Sequence, residues 1–171
     1  MIFRCISQNG FYQGINGIDK AHFPKKDGRN ARSLGFFFKI GSFTLYTAGD
    51  LTSHVESKIS EAFSALGVKA KLVKLSHHGS NTSNPQSLLD ALEPQAIVSS
   101  HGTWNTNHYG HPHIEVVDRA FSSAVRRQLT YLVFTNPLHT GCIQGQLQNC
   151  NYSYTLINPG RNSKEKRLTN A

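Results

Sequence analysis

Two adjacent histidines, His77 and His78, sit in the stretch KLSHHGSNTSNP, which runs from Lys74 to Pro85. They follow the alternating apolar run KAKLVKL and precede a glycine and a cluster of small polar residues. Neutral imidazole is the commonest metal ligand in proteins, and histidine also moves protons near neutral pH. Asp50 occupies a similar place: it follows the run FTLYTAG, and Gly49 before it lets the backbone approach closely. A carboxylate and an imidazole together suit a divalent ion of zinc type. A third group, NHYGHPH, carries His108, His111 and His113. His101 also lies just past an apolar run. Taken singly, each signal has a plain structural alternative. Asp after Gly is common in turns, paired histidines can face water, and His111 and His113 flank a proline that can simply open a helix.

These loops need a rigid frame. SLGFFFKIGSFTLYTAGD holds two apolar runs, Leu34–Ile40 and Phe43–Thr47, split by Gly41-Ser42, and reads as a hairpin. SHVESKISEAFSALG follows. There Val55, Ile59, Phe63 and Leu66 recur at helical spacing, Ser53 and Glu56 form a capping-box pattern, and Gly67 suits the helix end. KAKLVKL reads as a strand, NPQSLLDALEP as a short helix and QAIVSS as a strand. HIEVVDRAFSSAV reads as a helix with Ile114, Val117, Phe121 and Val125 on one face. YLVFTNP, GCIQGQL and YSYTLI read as three closing strands. Alternating strands and helices predict an α/β fold with helices layered on a sheet.

The chain divides into an irregular segment over residues 1–33, rich in Gly, Asn, Lys and Asp, a folded domain over 34–160 and a basic tail over 161–171. Its 171 residues suffice for one domain with a real core. No apolar run approaches the roughly 20 residues of a membrane helix, and MIFRCISQNG is too short an apolar stretch for a signal peptide. The expectation is a cytoplasmic protein with no membrane segment. Cys5, Cys142 and Cys150 show no CxxC spacing and read as reduced thiols, a Cys142–Cys150 disulfide being the weaker alternative. The net charge of +8 favours acidic partners such as nucleic acid or phosphoesters. The basic residues are nevertheless scattered, and no aromatic-basic interleaving marks a standard nucleic-acid-binding module.

In their order, FTLYTAGDL, KLVKLSHHGSNTS and NHYGHPH resemble the metallo-β-lactamase superfamily. They most resemble the hydrolase-like domain attached to bacterial DNA-uptake channels of the ComEC type. The resemblance covers roughly residues 34–125. It implies an αββα sandwich with a metal site at one edge, holding zinc or manganese. It also implies phosphodiester hydrolysis; with the positive charge it favours DNA as substrate, a small phosphoester or lactone being the alternative. Asp50 matches an aspartate that bridges two metal ions, and His78 a ligand of one of them. His77 then faces the phosphate, although the two histidines are interchangeable on this reading. His111 matches a residue that hydrogen-bonds the phosphate or protonates the leaving group. Ser80, Asn107 and His113 match substrate-facing positions, and His101 and His108 carry no role.

One departure matters. The superfamily's His-x-His-x-Asp-His signature is absent from residues 1–49, which hold a single histidine, His22. Two ligands fall short of the three or four protein donors a zinc site uses. The chain therefore looks like the C-terminal half of a metallohydrolase: a truncated product, a fragment or one subunit of a split enzyme, inactive alone. The alternative is a non-catalytic remnant or interaction module. Phe36, Phe37 and Phe38 in succession put aromatic surface on both faces of one strand, so both faces need cover, from local helices or from a missing partner. Self-association, or a partner supplying the N-terminal half, is expected.

Overall fold

A computed structural model describes residues 1–20, 28–102, 109–127, 131–135 and 155–156. These residues build one mixed sheet with helices against it. Its strands are β1 (Ile2–Gln8), β2 (Phe11–Gly14), β3 (Gly17–Lys20), β4 (Gly35–Ile40), β5 (Phe43–Ala48), β6 (Leu72–Lys74), β7 (Ala96–Ser99), β8 (Tyr131–Phe134) and β9 (Thr155–Leu156). The helices are α1 (Ser53–Ala65), α2 (Gln86–Leu92) and α3 (Ile114–Arg127). Strand order is β3-β2-β1-β4-β5-β6-β7-β8-β9. Strands β1 to β5 are antiparallel to their neighbours, and β5 to β9 run parallel. Each parallel step from β5 to β8 crosses through one helix, the βαβ connection that parallel strands need. The α/β layered fold expected from the sequence is present.

The β4–β5 hairpin forms where the sequence places it. Ile40 pairs with Phe43 across a two-residue loop, and Gly41 takes the left-handed backbone (φ +57°) that such a turn favours. Alternation along β5 then turns Tyr46 and Ala48 toward the helices. They join one core with Val73, Leu75, Ile97, Leu132 and Phe134 from the parallel strands. Against these pack Val55, Ile59 and Phe63 of α1, Leu88, Leu89 and Leu92 of α2, and Val116, Val117 and Ala120 of α3. Leu66, counted with the buried face of α1, is 54% exposed: the helix ends at Ala65, and Gly67 (φ +62°) turns the chain away.

Two expectations need correction. The segment read as irregular is ordered over residues 1–20, which form β1, β2 and β3 and widen the sheet beyond β4. The signal was local: Asn9-Gly10, both at positive φ, joins Gln8 to Phe11 in a two-residue hairpin loop. The Ser53–Glu56 capping box is also absent. Thr52 is the N-cap residue and makes no side-chain cap bond, and Glu56 points into the core. The strand read at GCIQGQL and the tail 161–171 lie outside the described residues.

The run Phe36-Phe37-Phe38 divides between the faces as expected. Phe37 turns to the helix side, with its ring 5.9 Å from that of Phe63. Phe36 and Phe38 turn the other way and pack on Phe3, Phe36 stacked at 5.0 Å and Phe38 edge-on at 4.9 Å between ring centroids. Among the described residues no helix covers this second face, and Phe3 is 57% exposed. Contiguous apolar patches of this kind mark interfaces. The chain alone is therefore expected to sediment as a mixture of species in physiological salt and to enhance the fluorescence of a hydrophobic dye. A monodisperse, dye-silent monomer in analytical ultracentrifugation would show that this face is covered.

Candidate functional site

Three loops gather at the carboxyl ends of the parallel strands, where open α/β sheets place their ligands. The first follows β5. The Gly49 N–H donates to the Leu34 carbonyl (2.9 Å), and the Asp50 N–H donates to Ser33 Oγ (3.1 Å). The second follows β6. His77, His78 and Gly79 all take left-handed backbone, with φ +50°, +54° and +82°. Such a run is costly for residues with side chains and persists only where the surroundings fix it. The third leads into α3 and carries His111 and His113.

Main-chain bonds tie the loops together. The His77 N–H donates to the Gly49 carbonyl (2.8 Å), and the His113 N–H donates to the Gly79 carbonyl (2.8 Å). Gly79 is required twice. Its φ suits glycine, and a Cβ there would meet Pro112 Cβ at 2.6 Å. Gly79→Ala is expected to lose about 1–3 kcal/mol of stability and to push the His111–His113 loop away. Urea unfolding tests this, and a change under about 0.5 kcal/mol would contradict it.

The side chains converge as the backbone dictates. His77 Nε2 lies 4.0 Å from Asp50 Oδ2. The ring of His111 lies 5.1 Å from those of His77 and His113 and 6.5 Å from that of His78. Tyr109, 79% exposed, stacks on His111 at 5.9 Å. Asp50, His77, His78, His111 and His113 are thus brought together. Ser80 is not among them: it is buried, and its hydroxyl bonds Thr82 Oγ1 (3.0 Å), so it shapes the loop. His101 is buried behind the site, with its ring 6.2 Å from that of Phe134. Asn107 and His108 lie outside the described residues.

The donor chemistry bears on a metal. His78 Nδ1 lies 2.6 Å from the Ser100 carbonyl, which can only accept, so Nδ1 carries a proton, and in the neutral ring Nε2 is the atom with the lone pair. Metal-ligating histidines have this arrangement. Asp50, 42% exposed, presents its carboxylate at the same edge. However, among the described residues no three His, Cys, Asp or Glu side chains are arranged to hold an ion. Asp50 and His78 fit as part of a metal site and do not close one.

Burial governs the protonation of three of the histidines, His77, His101 and His111. It lowers His111 to about 4, with His113, His77 and His78 adding repulsion. It also lowers His77, against the pull of Asp50, and His101. His111 is therefore neutral at pH 7. Lys74 donates to the carbonyls of Ala48 (3.3 Å) and Leu75 (3.2 Å); burial lowers its pKa, and Asp50 opposes this. A pH dependence follows. Unfolded histidine takes up its proton near 6.5 and folded His111 only near 4, so between these values the unfolded state binds more protons. Stability is then full above about pH 6.5 and declines as pH falls toward 4. Glu56, whose pKa burial raises, acts in the opposite sense. The three histidines are expected to outweigh it. Urea midpoints at pH 7.5 and pH 5 are the check, and a higher midpoint at pH 5 would reverse the conclusion.

A network beneath the loops escaped sequence reading. Glu56 is fully buried. Its Oε1 accepts from Tyr46 Oη (2.9 Å) and Ser76 Oγ (2.7 Å), and its Oε2 accepts from the Asn84 N–H (2.5 Å). Burial pushes the Tyr46 hydroxyl pKa well up, and Glu56 beside it adds to the rise. The only signal in the sequence was a carboxylate next to Val55 on the inward face of α1.

The fold and site define a mixed α/β protein with an Asp-His cluster at its strand ends. No protein-family model matches the chain. It is similar to ComE operon protein 3 of Bacillus subtilis, at 28% identity over 103 residues, which is 60% of this chain and 13% of that protein. It is also similar to Recombination protein 2 of Haemophilus influenzae, at 34% identity over 77 residues, 44% of this chain and 10% of that protein. The matched stretches thus span about a tenth of the length of these curated relatives. Among the described residues no helix is long and apolar enough to cross a membrane.

Proposed function

We propose that this chain carries part of the site of a metallo-β-lactamase-type phosphodiesterase that acts on DNA and takes part in DNA uptake. The observation that carries the reading is the convergence of Asp50, His77, His78, His111 and His113 through two main-chain bonds between three loops. Similarity to ComE operon protein 3 supports the uptake role, and the net charge of +8 suits a polyanionic substrate.

Asp50 and His78 would hold a divalent ion of zinc or manganese type, together with further donors. When bound, such an ion activates water and polarises a phosphoryl oxygen. This chain's own residues do the rest. His77 faces Asp50 and donates to substrate oxygen. His111, neutral and partly desolvated, orients a phosphate oxygen from the other side, with Tyr109 stacked outside it. The second reading is a non-catalytic interaction module, favoured by the lack of a three-donor group among the described residues.

The test combines metal analysis with turnover of a phosphodiester. The chain alone is expected to retain zinc weakly and substoichiometrically after dialysis. Adding a protein half that carries the upstream His-x-His-x-Asp-His motif is expected to produce metal-dependent hydrolysis of DNA. Stoichiometric metal in the reconstituted pair without hydrolysis would establish the interaction-module reading. Tight retention of two zinc ions by the chain alone would show that it completes its own site.

A further inference from the structure

We propose that Glu56 is a positioning residue: through Ser76 and Asn84 it holds the His77–His78–Gly79 turn at its distance from Asp50. This rests on the reading of that turn as the functional site, but its test does not depend on activity.

Glu56 touches none of the site histidines, yet both its oxygens serve the segment that carries two of them. Oε1 takes the hydroxyl of Ser76, the residue immediately before His77 (2.7 Å). Oε2 takes the main-chain N–H of Asn84, where the loop closes (2.5 Å). Asn84 completes the clamp. Its Oδ1 accepts from the Ser76 N–H (2.7 Å) and its Nδ2 donates to the Ser76 carbonyl (2.9 Å), so both main-chain groups of Ser76 are held. Asn84 itself takes left-handed backbone, φ +59°. Further bonds fasten the same loop to the Asp50 side. Ser83 Oγ donates to the Leu51 carbonyl (2.6 Å) and the Ser53 N–H to the Thr82 carbonyl (2.7 Å). Arg119 of α3 donates to the Ser83 carbonyl (3.2 Å), and its charge acts favourably on the Glu56 carboxylate.

The turn needs such a clamp. His77 and His78 carry Cβ atoms in left-handed backbone, a state held only when neighbours over-determine it. A buried carboxylate is a poor choice for stability alone, because apolar residues of similar volume often serve as well or better. Its directional acceptors fix where the strained turn begins and ends. The Glu56 clamp fixes Ser76 and Asn84 from below, while Gly49 and His113 fix His77 and Gly79 from the sides.

The experiment is NMR of the full chain labelled with 15N-histidine, with Glu56→Gln compared to an Ile59→Val control that trims the core away from the loop. Glu56→Gln keeps the size of the side chain but turns one acceptor oxygen into a donor. The expected result is a cooperatively folded variant in which the amide and ring signals of His77 and His78 shift or broaden. The ring nitrogens of His78 should also lose the Nδ1-protonated tautomer signature that the Ser100 carbonyl imposes. His54 and His101 should keep their signals, and Ile59→Val should leave all four unchanged. Asn84→Ala should reproduce the Glu56→Gln pattern. Unchanged His77 and His78 signals in folded Glu56→Gln would overturn the proposal. So would equal shifts at all histidines in Glu56→Gln and Ile59→Val. If Glu56→Gln does not fold, Ser76→Ala decides, because it removes one bond of the clamp; unchanged His77 and His78 signals there would overturn it as well. Loss of the hydrolase reading would leave these spectra as they are.

Discussion

Replacing Asp50 by alanine is expected to reduce phosphodiester hydrolysis by the reconstituted protein about 100-fold or more, with little change in folding. The size follows from the site. Removing a group that merely supports a metal ligand commonly costs about 10–100-fold, and Asp50 would be a direct donor. Its side chain is 42% exposed and faces His77 Nε2 at 4.0 Å. The loop itself is held by main-chain groups, Gly49 to Leu34 and His77 and Asp50 to Ser33, and these survive the substitution. Turnover should be compared at equal metal loading, with circular dichroism melts run in parallel. Near-normal hydrolysis would remove Asp50 from the mechanism. Equal loss of melting temperature and activity would make it a structural residue.

The second large effect is on stability. Glu56→Ala should destabilise the fold by about 3–5 kcal/mol, the range for removing one partner of a buried polar network. Three donors, from Tyr46, Ser76 and Asn84, would be left facing a cavity in the core. Domains of this size have about 5–15 kcal/mol in all, so the variant should approach the unfolding threshold near body temperature. Tyr46→Phe removes one donor and leaves the acceptor two others, so it should cost about 1–2 kcal/mol. Urea unfolding of both variants gives the comparison. A Glu56→Ala loss no larger than that of Tyr46→Phe would mean that the carboxylate contributes little to the network.

The parts of the fold legible in the sequence were those with strong periodicity between plain turn residues. The Phe43–Ala48 strand, the Val55–Ile59–Phe63 face and the strands on either side of α2 all stand where pattern alone puts them. Asp50, His77 and His78 were legible as a group because strands end just before them. The failures have physical causes. Strands β1 to β3 bury few residues, Ile6 and Ser7 in β1 and Gly14 in β2, so their composition reads as loop. Only the Asn9-Gly10 turn betrays them. Glu56 satisfied a local rule, three residues after Ser53, while its true partners Ser76 and Asn84 lie 20 and 28 residues away. Local spacing carries no information about partners that the fold brings in from that distance. Ser80 differs: its place in the motif suggested a substrate contact, while its buried hydroxyl bonds Thr82, only two residues away.

The two main-chain bonds that link Gly49 to His77 and Gly79 to His113 connect the three loops in series, like the bars of a linkage. A displacement at either end must pass through the left-handed turn in the middle. Under the proposed function, a ligand at the Asp50 end and one at the His111–His113 end would meet through this turn, and any free energy that one contributes to the binding of the other would be returned in equal measure.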